Sequence, residues 1–154
     1  MAISSDAEFY VVIGKAVSKA IDEVIDKCFM ELQNHIERNV YAKGSGTVAS
    51  GTLVDAWKHE ANGLLGTLEF EPSMLAHNPS AWVHGSAYDP RPEWQDTRDI
   101  IIDIVQGGYR AYNAKTGSPV PPRRFWDEYL AYVDARFEKW FRSALRHQGL
   151  VVVQ

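Results

Sequence analysis

One apolar period governs the first third of this chain. Val12, Ala16, Ala20, Val24, Cys28 and Leu32 recur every four positions, flanked by a second row at Ile13, Val17, Ile21, Ile25, Phe29 and Ile36. Rows spaced this way form the buried stripe of an amphipathic helix, and the spacing predicts one over residues 5–38. Ser5 and Glu8 stand at the distance of a capping box, in which each side chain satisfies an amide at the other's position. At about 1.5 Å per residue the helix is roughly 45 Å long, more than a compact domain of this size needs. The excess is expected to pack on a neighbouring subunit.

Downstream the pattern is more broken. Residues 42–51 form a Gly/Ser-rich loop without apolar period. A β-hairpin region is predicted over residues 52–71. Thr52-Leu53-Val54-Asp55-Ala56-Trp57 admits either one helical turn or the start of a strand. Asn62-Gly63 then reads as a two-residue type I′ turn, because both central positions of that turn need φ > 0. On the second strand Leu68 and Phe70 point to one side, Thr67 and Glu69 to the other. Residues 72–93, carrying Pro72, Pro79, Pro90 and Pro92, form a loop long enough to be expected at a partner or a functional surface.

A middle helix is expected over residues 95–107, with Ile100, Ile101, Ile104 and Val105 facing inward and Gly107-Gly108 ending it. Another loop spans residues 109–120. Pro121-Pro122 primes a closing helix over residues 121–147, whose stripe runs through Trp126, Tyr129, Leu130, Val133, Phe137, Trp140, Phe141, Ala144 and Leu145. Gly149 stops it, and residues 150–154 are a β-prone tail expected to pair with a sheet edge, its own or a neighbour's. The fold class is α+β. One domain, residues 1–154, is expected to hold a small antiparallel sheet packed against long N-terminal and C-terminal helices, with the middle helix added.

Composition narrows the function class. The chain has 154 residues, 45% of them apolar and 23% charged, which excludes an intrinsically disordered chain. A single cysteine, Cys28, excludes a disulfide-stapled module and fits a reducing compartment; the opening residues lack a secretory leader. No apolar run reaches the roughly 18 residues of a membrane helix, so no membrane partner is expected. A net charge of −4 argues against a dedicated nucleic-acid binder. The charge is also split: residues 1–90 hold 6 Lys/Arg against 12 Asp/Glu, residues 91–154 hold 10 against 8. An acidic front and a mildly basic back suit a molecule that meets copies of itself, front to back.

Catalytic signals are thin. His59-Glu60 opens like a zinc-protease helix motif, yet Gly63 stands where the second histidine belongs. Gly44-Ser45-Gly46 lacks the lysine of a phosphate loop. His77, His84 and Asp89 could serve a small metal-dependent hydrolase, the remote alternative, but their spacing matches no closed metal site. Cys28 lies on the apolar stripe and reads as a core residue. Arg123-Arg124, placed in the first turn of the closing helix, oppose its dipole and call for a partner carboxylate or solvent. No catalytic residue, metal or cofactor is expected.

Three segments in this order resemble tailed-bacteriophage head–tail joining and tail-completion proteins (tail terminators and minor neck proteins). Residues 39–57 lead through a Tyr/Gly loop into Gly51-Thr52-Leu53-Val54-Asp55, where that family has Gly-Gly-Leu-Leu-Asp or Thr-Gly-Leu-Leu-Asp before a hairpin. Residues 100–107 are similar to its helix ending in an acidic residue and glycine, with Gln106 in the acidic place. Pro122-Arg123-Arg124-Phe125-Trp126 resembles its Arg-Pro-Phe opening of a closing helix, with the proline moved ahead of both arginines. The resemblance implies a non-enzymatic virion part of the tail or neck, assembled in the host cytoplasm as a homo-oligomeric, hexameric ring. Its implied partners are itself, the tail-tube protein and head-completion or connector proteins, with non-specific passage of DNA through the ring; the alternative is a head-completion adaptor or other minor capsid protein. Candidate contact residues are Ser45, Thr47 and Val48 in the first loop, His77, Trp82 and His84 in the second, Arg123 and Arg124, and Val151, Val152 and Val153 for strand addition.

Overall fold

The structure, a computed structural model, describes residues 6–41, 52–75, 101–110, 119–120 and 122–151. Its elements are α1 (Asp6–Ile36), a π-helical turn (Glu37–Tyr41), α2 (Thr52–Asp55), β1 (Trp57–Asn62), β2 (Leu65–Phe70), a 3₁₀ turn (Pro72–Met74), α3 (Ile101–Gly107), β3 (Tyr109–Arg110), β4 (Pro119–Val120) and α4 (Phe125–His147). The class is α+β, as the sequence implies: a long first helix, a closing helix and a small antiparallel sheet. The chain divides into two compact units. One comprises Met1–Gln33, Trp57–Phe70 and Tyr129–Gln154, the other Asn34–Ala56 and Glu71–Glu128.

In the first unit the predicted stripe of α1 is the core. Ala20, Val24 and Cys28 are buried with Ala144 of α4, and Val133, Trp140, Phe141 and Leu145 pack around them. Ala20 and Ala144 are the smallest members, and a pair of alanines lets two helix backbones approach closely. Polar bonds at the rim hold α4 to α1: the Tyr132 hydroxyl reaches Glu31 at 3.5 Å and His147 Nδ1 meets Glu23 Oε1 at 2.8 Å. The Lys27 ammonium sits over the Trp140 ring, 4.9 Å from its centroid. On α1, His59 of β1 stacks on Phe29 (centroids 4.3 Å apart) and pairs with Asp26 at 2.9 Å.

The hairpin closes one residue later than expected. Asn62 pairs with Leu65, so Gly63-Leu64 are the two turn residues. Gly63 has φ +63, and no non-glycine residue among those described has positive φ. A single positive φ at the first central position is the type II′ pattern, not the I′ turn that Asn-Gly favours. The reason lies at Gly66, which faces Ile21 and Ile25 of α1 so closely that even a Cβ there would overlap Ile25. Register follows the buried face, because a slip of one residue would turn that face to solvent.

The second unit is cross-linked through the main chain. Its buried side chains include Ile36, Val40, Leu53, Ala56, Leu75 and Phe125, with His35 the one buried polar residue of the chain's described part. Residues Thr52–Asp55 resolve as one helical turn, and the Val54 amide donates to the Tyr41 hydroxyl at 3.2 Å. Glu71 N–H bonds Ala56 C=O at 2.7 Å. Tyr109–Arg110 and Pro119–Val120, read as loop, form a short antiparallel ladder. A two-residue pair carries no alternation for a sequence pattern to detect.

α4 begins at Phe125, not at residue 121. Its first helical bond runs from Glu128 N–H to Arg124 C=O, while the Arg123 N–H is spent on Val105 C=O of α3 at 3.0 Å. Arg124 is therefore the cap residue and Arg123 lies outside the helix, so neither opposes the dipole from within the first turn. Asp127 and Glu128 occupy that turn and Arg146 and His147 the last, the favourable arrangement at both ends. The orphan Asp127 amide is met by the Gln106 Oε1 of α3 at 2.9 Å. At the other end Gly149, φ +80, sets a Schellman stop: Leu150 N–H bonds Leu145 C=O and Gly149 N–H bonds Arg146 C=O. At the two described residues of the tail the chain forms no strand of its own, and Val152 and Val153 lie outside the described residues. Leu150 and Val151 are in no strand, and Val151 is 85% exposed.

Candidate self-association surface

α1 begins before its core does. Phe9, Tyr10, Val11 and Val12 are 46%, 72%, 55% and 42% exposed. Successive residues of a helix are turned by about 100°, so these four distribute apolar surface nearly all the way round the axis. Phe9 and Tyr10 meet edge to face, centroids 5.9 Å apart. An apolar stripe points at one neighbour; a helix apolar on every side is found where it is surrounded. The sequence reading placed Val12 on the buried stripe, and the structure exposes it. The available signal was the unbroken run Phe-Tyr-Val-Val itself, which fits no single face.

The same unit also carries a concave apolar feature. Ile21 and Ile25 of α1, Leu64 and Gly66 of the hairpin, and Phe137 and Phe141 of α4 line a cleft of about 240 Å³. Its rim is open: Leu64 is 70% and Phe137 44% exposed, although Phe137 and Leu130 were both expected in the core. Phe137 and Phe141 stack with centroids 6.3 Å apart, which fixes that wall. The flanking α4 segment from Arg136 to Arg142 holds three cations and one carboxylate. Arg142 reaches Glu138 at 2.6 Å, and Arg136 lies on the Tyr132 ring.

The residues named from sequence fall mostly elsewhere. Ser45, Thr47, Val48, His77, Trp82, His84, Val152 and Val153 lie outside the described residues, as do Asp89 and Ser5. Arg123 and Arg124 are in the second unit and Val151 in the first. Arg123 has found a main-chain partner in place of the expected carboxylate or solvent: its guanidinium donates to the Val40 carbonyl at 2.5 Å, at the end of the π-helical turn where carbonyls carry partial negative charge. Asn39 beside it donates to Glu128 at 2.9 Å. Arg123 thus ties three elements of its unit together, a packing duty that leaves Arg124 the exposed member of the pair.

Cys28 is buried in the core, where desolvation pushes its thiol up from the ordinary 9.0. It shares a hydrogen bond with Tyr129, whose phenol burial also raises above its ordinary 10.0. A thiol held protonated and out of water is a poor nucleophile. Among the described residues no three His, Cys, Asp or Glu side chains gather as metal ligands, and no helix is long and apolar enough to cross a membrane.

The titration has a stability consequence. Cys28, Tyr129 and also Tyr41 hold their protons more tightly folded than unfolded. Their contribution is complete below the unfolded values and is lost as pH rises past them towards the raised folded ones. The share of thermal stability that these three groups supply is expected to hold up to about pH 9 and to fall above it. In Cys28→Ala the fall should start later, where the tyrosines take over; an unchanged profile would remove the thiol from the account.

Compared with protein-family models, curated proteins and solved structures, the chain matches none.

Proposed function

We propose that this chain is a structural, non-enzymatic component of a tailed-bacteriophage particle, acting as a ring at the head–tail junction or the end of the tail. The observation that supports it best is the turn of α1 from Phe9 to Val12, apolar on all sides and exposed. Four adjacent apolar side chains facing water in every direction gain by transfer into a protein environment, at about 25 cal/mol per Å² removed from water. Among the described residues no element covers all four, whereas neighbouring subunits arranged around a ring can. The charge split along the sequence fits the same arrangement, since a head-to-tail ring needs two different complementary patches on each subunit.

In this reading the chain works by completing its burial on sister copies and then on the tail-tube and connector proteins, with no reaction performed. Multi-angle light scattering and negative-stain microscopy of the purified protein, alone and with tail tubes, test it. Oligomers, or particles decorating tube ends, are the expected result. A strict monomer that never attaches to tubes would reject the proposal.

A further inference from the structure

Among the described residues β1 has a strand on one side only, since its sheet is β1–β2. The outer side of β2 turns to α4, whose Phe137 and Phe141 share a cleft with Leu64 and Gly66, so β1 is the open edge. We infer that this edge pairs antiparallel with the same edge of a second copy, joining two hairpins into one four-stranded sheet with His59 at the two-fold axis.

Hydrogen-bond phase limits how two such edges can meet. Asn62 pairs with Leu65 around a two-residue turn, and the Glu71 amide bonds the Ala56 carbonyl at 2.7 Å. Bonded and non-bonded pairs alternate along an antiparallel ladder, so the bonded residues of β1 are Lys58, Glu60 and Asn62. His59 and Ala61 direct their amides and carbonyls outward. A second β1 must therefore set odd-numbered residues against odd-numbered ones.

Charge then chooses among these registers. Lys58 and Glu60 are exposed, on the face turned away from α1. Centring on Lys58 sets lysine against lysine, and centring on Glu60 sets glutamate against glutamate. Centring on Ala61 opposes Glu60 to Asn62 and leaves Lys58 unmatched. Centring on His59 sets Lys58 opposite Glu60 of the second copy, twice, in non-bonded pairs where side chains stand closest. Charges on an edge commonly keep strands apart. Here their alternation about His59 makes the edge complementary to itself, and it extends the row in which Lys58 already faces Glu69 across the hairpin.

The helix beneath fits the same arrangement. α1 lies under both strands: Gly66 of β2 faces Ile21 and Ile25, while His59 of β1 stacks on Phe29 and meets Asp26 at 2.9 Å. With strands about 4.8 Å apart, the middle of each hairpin stands about 4.8 Å from the axis, which sets the two α1 helices about 10 Å apart. Packed helices lie about 8–10 Å apart. Met30, 62% exposed and one turn past Asp26, is on the side of α1 that the second copy covers. Of the carboxylates near that side, Asp26 holds His59 and Glu23 holds His147 at 2.8 Å; Asp22 stands one turn further along α1. His59 keeps 32% of its side chain exposed although it lies on the α1 face, and its counterpart across the axis closes that gap.

This contact is isologous and closes at two copies. It is separate from any head-to-tail surface of the proposed ring and does not depend on it.

The experiment uses the full chain as wild type, Lys58→Glu, Glu60→Lys, the double exchange and Ala61→Pro, each checked for the wild-type circular dichroism spectrum. Sedimentation equilibrium is expected to show dimers for wild type. Each single exchange opposes like charges and should weaken the dimer at least about tenfold. Mixed in equal amounts, the two singles should form a heterodimer of about wild-type affinity, because every opposed pair is again unlike. The mixture carries the same hairpin changes as its components, so its recovery cannot come from folding. The double exchange should likewise restore the homodimer. Ala61→Pro removes an outward amide without touching the β1–β2 bonds and should also weaken pairing; if it loses the wild-type spectrum, the charge exchanges decide. Single variants that dimerise like wild type overturn the inference, as does a mixture no tighter than its components. A wild type that decorates tail tubes yet never pairs overturns it and leaves the virion reading standing.

Discussion

Phe125→Ala is expected to remove about 3–5 kcal/mol of stability, the range for truncating a buried Phe to Ala. Phe125 is fully buried, one of three large side chains in the chain's described part with essentially no exposure, alongside Leu32 and Ile36. It is the first residue of α4, and alanine is the better helix former there, so no loss of helix propensity enters. What is lost is packing, in a unit whose other buried side chains (Ile36, Val40, Leu53, Ala56 and Leu75) are supplemented by single hydrogen bonds such as Arg123 to Val40 and Glu71 to Ala56. Each of those is worth about 1 kcal/mol net, up to about 3 for the charged one. Domains are held by only about 5–15 kcal/mol in total, so the substitution consumes a large fraction. Urea unfolding monitored by tryptophan fluorescence should show the unfolding free energy fall by that amount, read as a lower midpoint at unchanged slope. A change below about 1 kcal/mol would mean that the side chain is not packed as the structure has it.

Gly66→Val is expected to cost about 1–3 kcal/mol through overpacking, with the cause located on one residue of α1. A Cβ at position 66 would overlap Ile25 Cγ1, lie 2.7 Å from Ile25 Cδ1 and 3.1 Å from Ile21 Cγ2. Ile25 is β-branched and stiff at χ1, so it has little room to rotate aside. Backbone strain plays no part, because Gly66 is not among the glycines with positive φ. The diagnosis predicts its own suppressor. In an Ile25→Ala background Gly66→Ala should cost markedly less than in wild type, with a coupling of about 0.5–3 kcal/mol in a double-mutant cycle. Additive costs would show that the hairpin does not approach α1 there.

Several features of the fold were legible in the sequence for identifiable reasons. The α1 stripe from Ala20 to Ile36 was readable because a helix of this length repeats its period many times, and the buried residues Ala20, Val24, Cys28, Leu32 and Ile36 are those the period selects. The Gly149 stop was readable because few residues other than glycine hold φ near +80. Other features depended on partners distant in the chain. The start of α4 moved because the Arg123 amide bonds Val105, a partner that no local pattern around Pro121-Pro122 reveals. The hairpin turn moved by one residue because Gly66 must meet Ile25, which outweighs the local preference of Asn-Gly.

The candidate surface divides the same way. The exposed Phe9–Val12 turn was present in the sequence as an unbroken apolar run, though periodicity alone absorbed Val12 into the core stripe. The cleft could not be read there at all, since its walls come from residues 21–25, 64–66 and 137–141 of the chain. By itself, the sequence determined that α1, α3 and α4 form, where α3 and α4 stop and which of their faces are apolar, because these follow from interactions between residues a few positions apart. Only the tertiary structure decided which apolar residues stay exposed, where Arg123 finds its partner and where a concave surface opens. Those depend on how much surface distant segments can cover, and coverage is a property of packed elements, not of residue order.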